Sequence, residues 1–137
     1  MATIYESRIM SIPEVHPEHQ EYWNAAAEGK LLIKKCENCG EHHYYPRIIC
    51  PFCSSDQTSW VEVKGIGSIY TYSVMRRGVP YAIAFVELEE GPRMMTNIVD
   101  CNLDELYIGQ KVHVAFKQSG PTDQPGPFVP CFTPITD

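Results

Sequence analysis

The spacing of hydrophobic and polar positions changes character along the chain, and each change predicts a different element. Between Pro17 and Glu28, Tyr22, Trp23, Ala26 and Ala27 recur at i, i+1, i+4 and i+5, one narrow stripe of an amphipathic helix. Pro17 suits the first turn, Glu18 and Glu21 sit toward the positive end of the helix dipole, and Gly29 supplies the stop. Such a stripe either docks on the chain's own core or is offered to a partner; docking is the expectation. Residues 1–15 show no period, and Pro13 interrupts whatever Ile9, Met10 and Ile12 begin, so this stretch reads as an arm or a partner-facing tail.

Leu31-Leu32-Ile33 predicts a short strand leading into a cysteine-bearing stretch, after which the period falls to two. Ile66, Ser68, Tyr70, Tyr72 and Val74 alternate with Gly67, Ile69, Thr71 and Ser73, which assigns one set to each face of a half-buried strand. Tyr81 to Leu88 continues the theme, Glu89-Glu90-Gly91-Pro92 supplies a turn, and Arg93 to Val99 is expected to pair back. Asn102-Leu103-Asp104-Glu105 has the side-chain cap and following acid of a helix start, with room for a single turn that would plug one end of a barrel. Lys111 to Lys117 alternates most clearly, with Val112, Val114 and Phe116 on one face and Lys111, His113 and Lys117 on the other. Residues 119–127, SGPTDQPGP, form a Gly/Pro-rich loop before a last short strand over Phe128 to Phe132. The expected chain is mainly β, about five strands behind one helix.

At 137 residues and 44% hydrophobic content there is room for one compact core plus a small module. The net charge of −6 argues against a broad basic face for nucleic acid, since neutralising phosphates supplies most nonspecific affinity. The first ten residues include Glu6 and Arg8 and lack a signal core, and no stretch approaches the about 20 apolar residues that span a bilayer. The expectation is therefore a cytoplasmic protein with no membrane segment. A reducing compartment turns paired CxxC motifs toward metal rather than disulfides.

Four of the six cysteines form such pairs, Cys36-Glu37-Asn38-Cys39 and Cys50-Pro51-Phe52-Cys53, separated by residues 40–49. Each tight turn can clamp one edge of a tetrahedron, and zinc suits four thiolates because it imposes little geometry of its own. Iron fits the same cage. Four thiolates leave no open position, so the metal reads as structural. His42 and His43, inside the intervening loop, read as exposed loop residues rather than ligands. Cys101 and Cys131, at strand ends without a nearby acid-base motif, read as core, and His113, in chemistry a possible base, reads as a surface strand residue between Val112 and Val114. There is no GxSxG, HExxH or phosphate-loop motif.

The order of helix, four-cysteine ribbon and five-stranded barrel resembles the zinc-ribbon OB-fold proteins associated with acyl-CoA enzymes. The resemblance covers about residues 16–133 and rests on Tyr22-Trp23, Gly29-Lys30-Leu31, Cys36, Cys39-Gly40, Pro46-Arg47, Cys50-Pro51 and Cys53. It continues through Trp60, Gly65-x-Gly67, Tyr70-Thr71-Tyr72, Pro80-Tyr81, Glu87-Leu88-x-Glu90-Gly91 and Ile108-Gly109. It implies an amino-terminal arm and helix (1–29), a rubredoxin-like zinc ribbon (30–59) and a C-terminal OB-fold barrel (60–137). It also implies a non-catalytic accessory subunit of a thiolase-fold acyltransferase, thiolase or aldolase, in which the catalytic residues belong to the large subunit. Some relatives pair instead with hot-dog-fold hydratases. The departure from the family is Tyr45, where a second proline often precedes Pro46.

If CoA or acyl-CoA is shared with a partner enzyme, its phosphates need cations, and Arg76 and Arg77 at a strand end are the best-placed pair, with Arg47 secondary. The competing expectation is an OB-fold binder of single-stranded nucleic acid that stacks bases on Tyr70, Tyr72 and Tyr81, with the acidic balance against it. A stand-alone CoA-ester enzyme would need Cys101, Cys131 or His113 to act.

Overall fold

The computed structural model describes Tyr5, Met10 and residues 12–135, so most of the predicted arm lies outside the described residues. A 3₁₀ turn over Pro17–His19 leads into α1, Gln20–Ala27. β1 (Leu31–Cys36), β2 (His42–His43) and β3 (Thr58–Val63) form a three-stranded antiparallel sheet in the order β2-β1-β3. β4 (Ile66–Met75), β5 (Tyr81–Leu88), β6 (Arg93–Ile98), β7 (Lys111–Gln118) and β8 (Phe128–Pro134) close a barrel in the order β4-β5-β6-β8-β7. All its pairings are antiparallel except the short parallel contact of β6 with β8 at Ile98 and Phe132. Closure removes the free edges that an open five-stranded sheet would present. As expected from its cap, Asn102 accepts a hydrogen bond from the Asp104 N–H and starts a single turn, Leu103–Glu105, whose Leu103 is buried in the core.

The alternation in β5 holds without exception: Ala82, Ala84, Val86 and Leu88 point inward and are buried. In β4 it does not. Pairing with β5 slips between Ile69 and Thr71, a β-bulge that inserts one extra residue. Because side chains alternate with period two, one extra residue exchanges the faces. Gly67 and Ile69 are buried before the bulge, and Tyr72 and Val74 turn inward after it. Tyr70 and Tyr72, assigned to one face from the sequence, therefore lie on opposite faces. Tyr72 packs on the core and donates its hydroxyl to the Leu106 carbonyl at 2.8 Å, whereas Tyr70 is exposed beneath the Arg93 guanidinium, 4.0 Å from the ring centre. No shared stacking platform of Tyr70, Tyr72 and Tyr81 results.

Helix α1 is the seam between the two sheets, packing on β1 and on β8. Its buried residues are Tyr22, Trp23, Ala25 and Ala26, while Ala27 faces out. The aromatic stripe is thus spent inside the chain and is not offered to a partner. Tyr22 is 1% exposed and joins one continuous core that runs from Leu31, Ile33 and Val63 of the small sheet to Val86, Ile98 and Phe132 of the barrel. Burying side chains of this size is worth about 2–3 kcal/mol each, so the helix stabilises both sheets against one surface. The polar tip of Tyr22 is matched by the Tyr44 hydroxyl at 2.8 Å, and burial raises the pKa of both phenols, that of Tyr44 to about 12. His19 donates from Nε2 to the Pro46 carbonyl at 2.9 Å and pins the helix start to the loop before the second cysteine pair.

At the amino-terminal end, Met10 is buried against Val99 and Cys131, and its carbonyl accepts from the Gly120 N–H at 2.8 Å. Among the described residues no helix is long and apolar enough to cross a membrane.

Gly67 marks where β4 crosses closest to β5. A Cβ there would lie 2.7 Å from Val86 Cγ1 and would strike the Glu87 carbonyl oxygen, which is backbone and cannot swing away. Gly67→Ala is expected to destabilise the chain by about 2 kcal/mol, the scale of core overpacking. Urea denaturation checks it: a lowered midpoint with an unchanged slope is expected, and an unaltered midpoint contradicts the close approach.

Candidate metal centre

The two cysteine pairs sit on two turns with the same backbone design. In the first, the Cys36 N–H donates to the Glu41 carbonyl at 2.9 Å and the Gly40 N–H to the Cys36 carbonyl at 2.8 Å. In the second, Cys50 donates to Ser55 at 2.8 Å and Ser54 to Cys50 at 2.9 Å. Both turns need a left-handed residue just after the second cysteine, and it is Gly40 at φ +80° in one and Ser54 at φ +66° in the other. Backbone N–H groups of Cys39 and Phe52 point at the sulfurs of Cys36 and Cys50, each at 3.4 Å. β1 delivers the first turn, and β3 returns to pair with β1, so the second turn is folded over the first. Further ties hold the two together: Thr58 donates its hydroxyl to the Ile48 carbonyl at 2.8 Å, and Ser59 donates to the Glu37 carboxylate at 2.6 Å.

The four sulfurs lie within 4.8 Å of one another. Cys36 and Cys53 approach to 3.5 Å, and Cys39 and Cys50 to 3.7 Å. A tetrahedral ion with metal–sulfur bonds of about 2.3 Å has sulfur–sulfur edges of about 3.8 Å, so the donor set fits a four-thiolate metal. With all four positions filled by protein, such an ion has no place for water or substrate. Cys36 and Cys50 are buried, Cys39 and Cys53 exposed. Neither histidine of the loop joins the sulfurs. The sequence led to the expectation that His42 and His43 are exposed loop residues, but both form β2 against β1: His42 is half-buried opposite Lys35, and His43, opposite Lys34, is 3% exposed and takes the Arg47 N–H on Nε2 at 3.2 Å. A two-residue strand next to a turn carries too little pattern for its burial to be read from the sequence.

Family models match two consecutive stretches of the chain: the ChsH2 rubredoxin-like zinc ribbon domain over residues 23–59 and the ChsH2 C-terminal OB-fold domain over residues 60–117. A DUF35 domain-containing scaffold protein of Methanocaldococcus jannaschii is 40% identical over 106 residues, covering 70% of this chain and 74% of that protein. The chain belongs to the ChsH2/DUF35 zinc-ribbon and OB-fold family. A solved Ltp2-ChsH2(DUF35) aldolase superposes with TM-score 0.74 at 30% identity, covering 89% of this chain and 98% of the matched one. A probable enoyl-CoA hydratase alpha subunit of Thermomonospora curvata is 31% identical over 115 residues, covering 80% of this chain, which spans only 36% of that longer protein. A DUF35 family protein of Sulfolobus solfataricus shares the fold at 14% identity, with TM-score 0.62, covering 88% of this chain and 87% of the other.

The remaining candidate residues are scattered. Arg76 is held by Asp104 at 2.7 Å and Arg77 is exposed beside it, both at the end of β4. Cys131 is buried in β8, as expected of a core cysteine. Cys101 is half-buried, and burial, with Asp100 and Glu105 nearby, pushes its thiol up to about 11, the opposite of activation. His113 is exposed on β7, its Nδ1 at 3.1 Å from the Val114 carbonyl. Not anticipated from the sequence is the apolar wall beside the second turn, where Tyr45, Pro46, Ile48 and Ile49 border a concavity of about 590 Å³ with Glu18, His19 and Arg47 at its polar side. Its only signal was the Ile48-Ile49 pair placed between polar residues and a metal turn.

Ser54 carries the cost of a left-handed backbone that Gly40 avoids in the equivalent position. Relief of about 1–2 kcal/mol on introducing glycine exceeds the about 0.5–1 kcal/mol of added unfolded-chain entropy. Ser54→Gly is therefore expected to stabilise the metal-loaded chain by about 0.5–1 kcal/mol. Thermal unfolding measured on loaded protein checks this, and a lower Tm would contradict the paired-turn geometry.

Proposed function

We propose that this chain is the non-catalytic accessory subunit of a thiolase-fold acyl-CoA enzyme, and that Cys36, Cys39, Cys50 and Cys53 hold a structural zinc that keeps its docking module folded. The observation that carries the reading is the superposition on the solved aldolase assembly's DUF35 chain, 98% of which this chain covers. The relatives described as scaffold proteins support it. So does the chemistry within the chain: the thiols outside the metal site are buried or held protonated, and a saturated four-thiolate ion does no Lewis-acid work.

In this reading residues 1–29, 30–59 and 60–137 serve as arm and helix, zinc ribbon and OB-fold barrel. Arg76 and Arg77 meet CoA phosphates at the subunit boundary, with Arg76 set in place by Asp104. The zinc works at a distance: it fixes the ribbon, the ribbon fixes the Tyr45–Ile49 wall, and the barrel shapes one side of the partner's CoA channel. The hydratase relative keeps a second enzyme class in view as partner.

Co-expression with the thiolase-fold enzyme encoded nearest to it is the test. The expected outcome is a stable complex on sizing chromatography, higher solubility of the enzyme, and loss of both complex and zinc in Cys36→Ser. Arg77→Glu is expected to raise the complex's KM for the CoA ester severalfold while leaving assembly intact. A chain that runs alone beside an enzyme of unchanged turnover sinks the proposal. A complex formed only with a hot-dog-fold hydratase reassigns the partner.

A further inference from the structure

The two metal turns repeat each other in backbone hydrogen bonds, in their left-handed residue and in the burial of their first cysteine. Among the positions where their side chains differ, one reaches a sulfur of the opposite turn. The residue just before the second cysteine is Asn38 in the first turn and Phe52 in the other. Asn38 reaches across to the opposite turn, with its Nδ2 3.6 Å from the Cys53 sulfur. Phe52 has no donor to give Cys39 in return. The two exposed ligands are therefore inequivalent: Cys53 receives a side-chain N–H from the other half of the site, and among the described residues Cys39 receives no side-chain N–H.

We propose that Asn38 is a positioning residue of the metal centre that makes Cys53 the slower of the two exposed ligands to leave, so that Cys39 is the thiolate through which the ion is lost. The proposal rests on reading the four thiols as a zinc site. An N–H···S bond withdraws charge from a thiolate and lowers its reactivity toward electrophiles, and a bond that bridges the turns also resists their separation. Cys36 and Cys50 are shielded by burial, so attack begins at Cys39 or Cys53.

The experiment uses the zinc-loaded full-length chain and limiting N-ethylmaleimide, with sites quantified by peptide mass spectrometry. In that reaction the thiolate sulfur adds to the maleimide double bond, the resulting carbanion takes a proton from water, and the zinc–sulfur bond is given up. Cys39 is expected to react about 10-fold faster than Cys53, matching the scale of second-layer effects on metal sites. In Asn38→Ala, and in the similarly shaped Asn38→Asp that has no donor, the preference is expected to vanish. Zinc transfer to a chromophoric chelator should speed up about 10-fold in both. In the cobalt-loaded chain the sulfur-to-metal charge-transfer band should shift in both variants, which a loss of general stability would not cause. Equal rates in the loaded wild-type chain, or a preference unchanged in both variants, overturn the proposal alone. A chain that takes up no zinc at all overturns the zinc reading and this proposal with it.

Discussion

The convergence of four sulfurs within 4.8 Å is the constraint on which the smaller half of the molecule depends. Its sheet consists of two six-residue strands and one of two residues, far too little to bury a core of its own. The hydrogen-bonded turns bring the thiols close, but four thiolates at such separations repel one another unless a cation lies between them. The metal therefore holds the turns together from inside, and the strand pairing of β1 with β3 holds them from outside.

The second dependence is the aromatic seam. Tyr22 touches Trp23, Tyr44, Tyr45 and Trp60, rings drawn from the helix, the loop before the second turn and β3. Lys34 lies over the Trp60 ring at 4.3 Å, its pKa lowered chiefly by burial. Through this cluster the metal site is mechanically continuous with the barrel, since Tyr22 and Trp23 share a core with Val86, Ile98 and Phe132.

This arrangement suits a part that presents surfaces. Ion pairs brace its surface: Arg93 holds Glu87 and covers Tyr70, Lys117 pairs with Asp100, and Arg76 pairs with Asp104. Apolar side chains nonetheless face outward in groups, Ile48, Ile49 and Phe52 around the second turn, and Ile83, Phe85 and Met95 on β5 and β6. Exposed groups of that kind fit an interaction protein better than a free-standing one.

By itself the sequence determined whatever depends on local spacing. Two CxxC pairs specify two turns with paired donors, the period-two runs at Tyr81 to Leu88 and Lys111 to Lys117 specify strands and their inward faces, and Asn102 specifies a cap. Each rests on neighbours a few residues apart, so the chain's own geometry settles it. Tertiary structure decided the rest. The bulge after Ile69 moved Tyr72 to the core and Tyr70 to the surface, because barrel closure, not composition, sets where a strand must bend. The helix stripe became a seam because both sheets offered it an apolar surface, and His43 was buried by β1. The cross-turn bond from Asn38 to Cys53 joins positions 15 residues apart that meet only once the two turns are folded over each other.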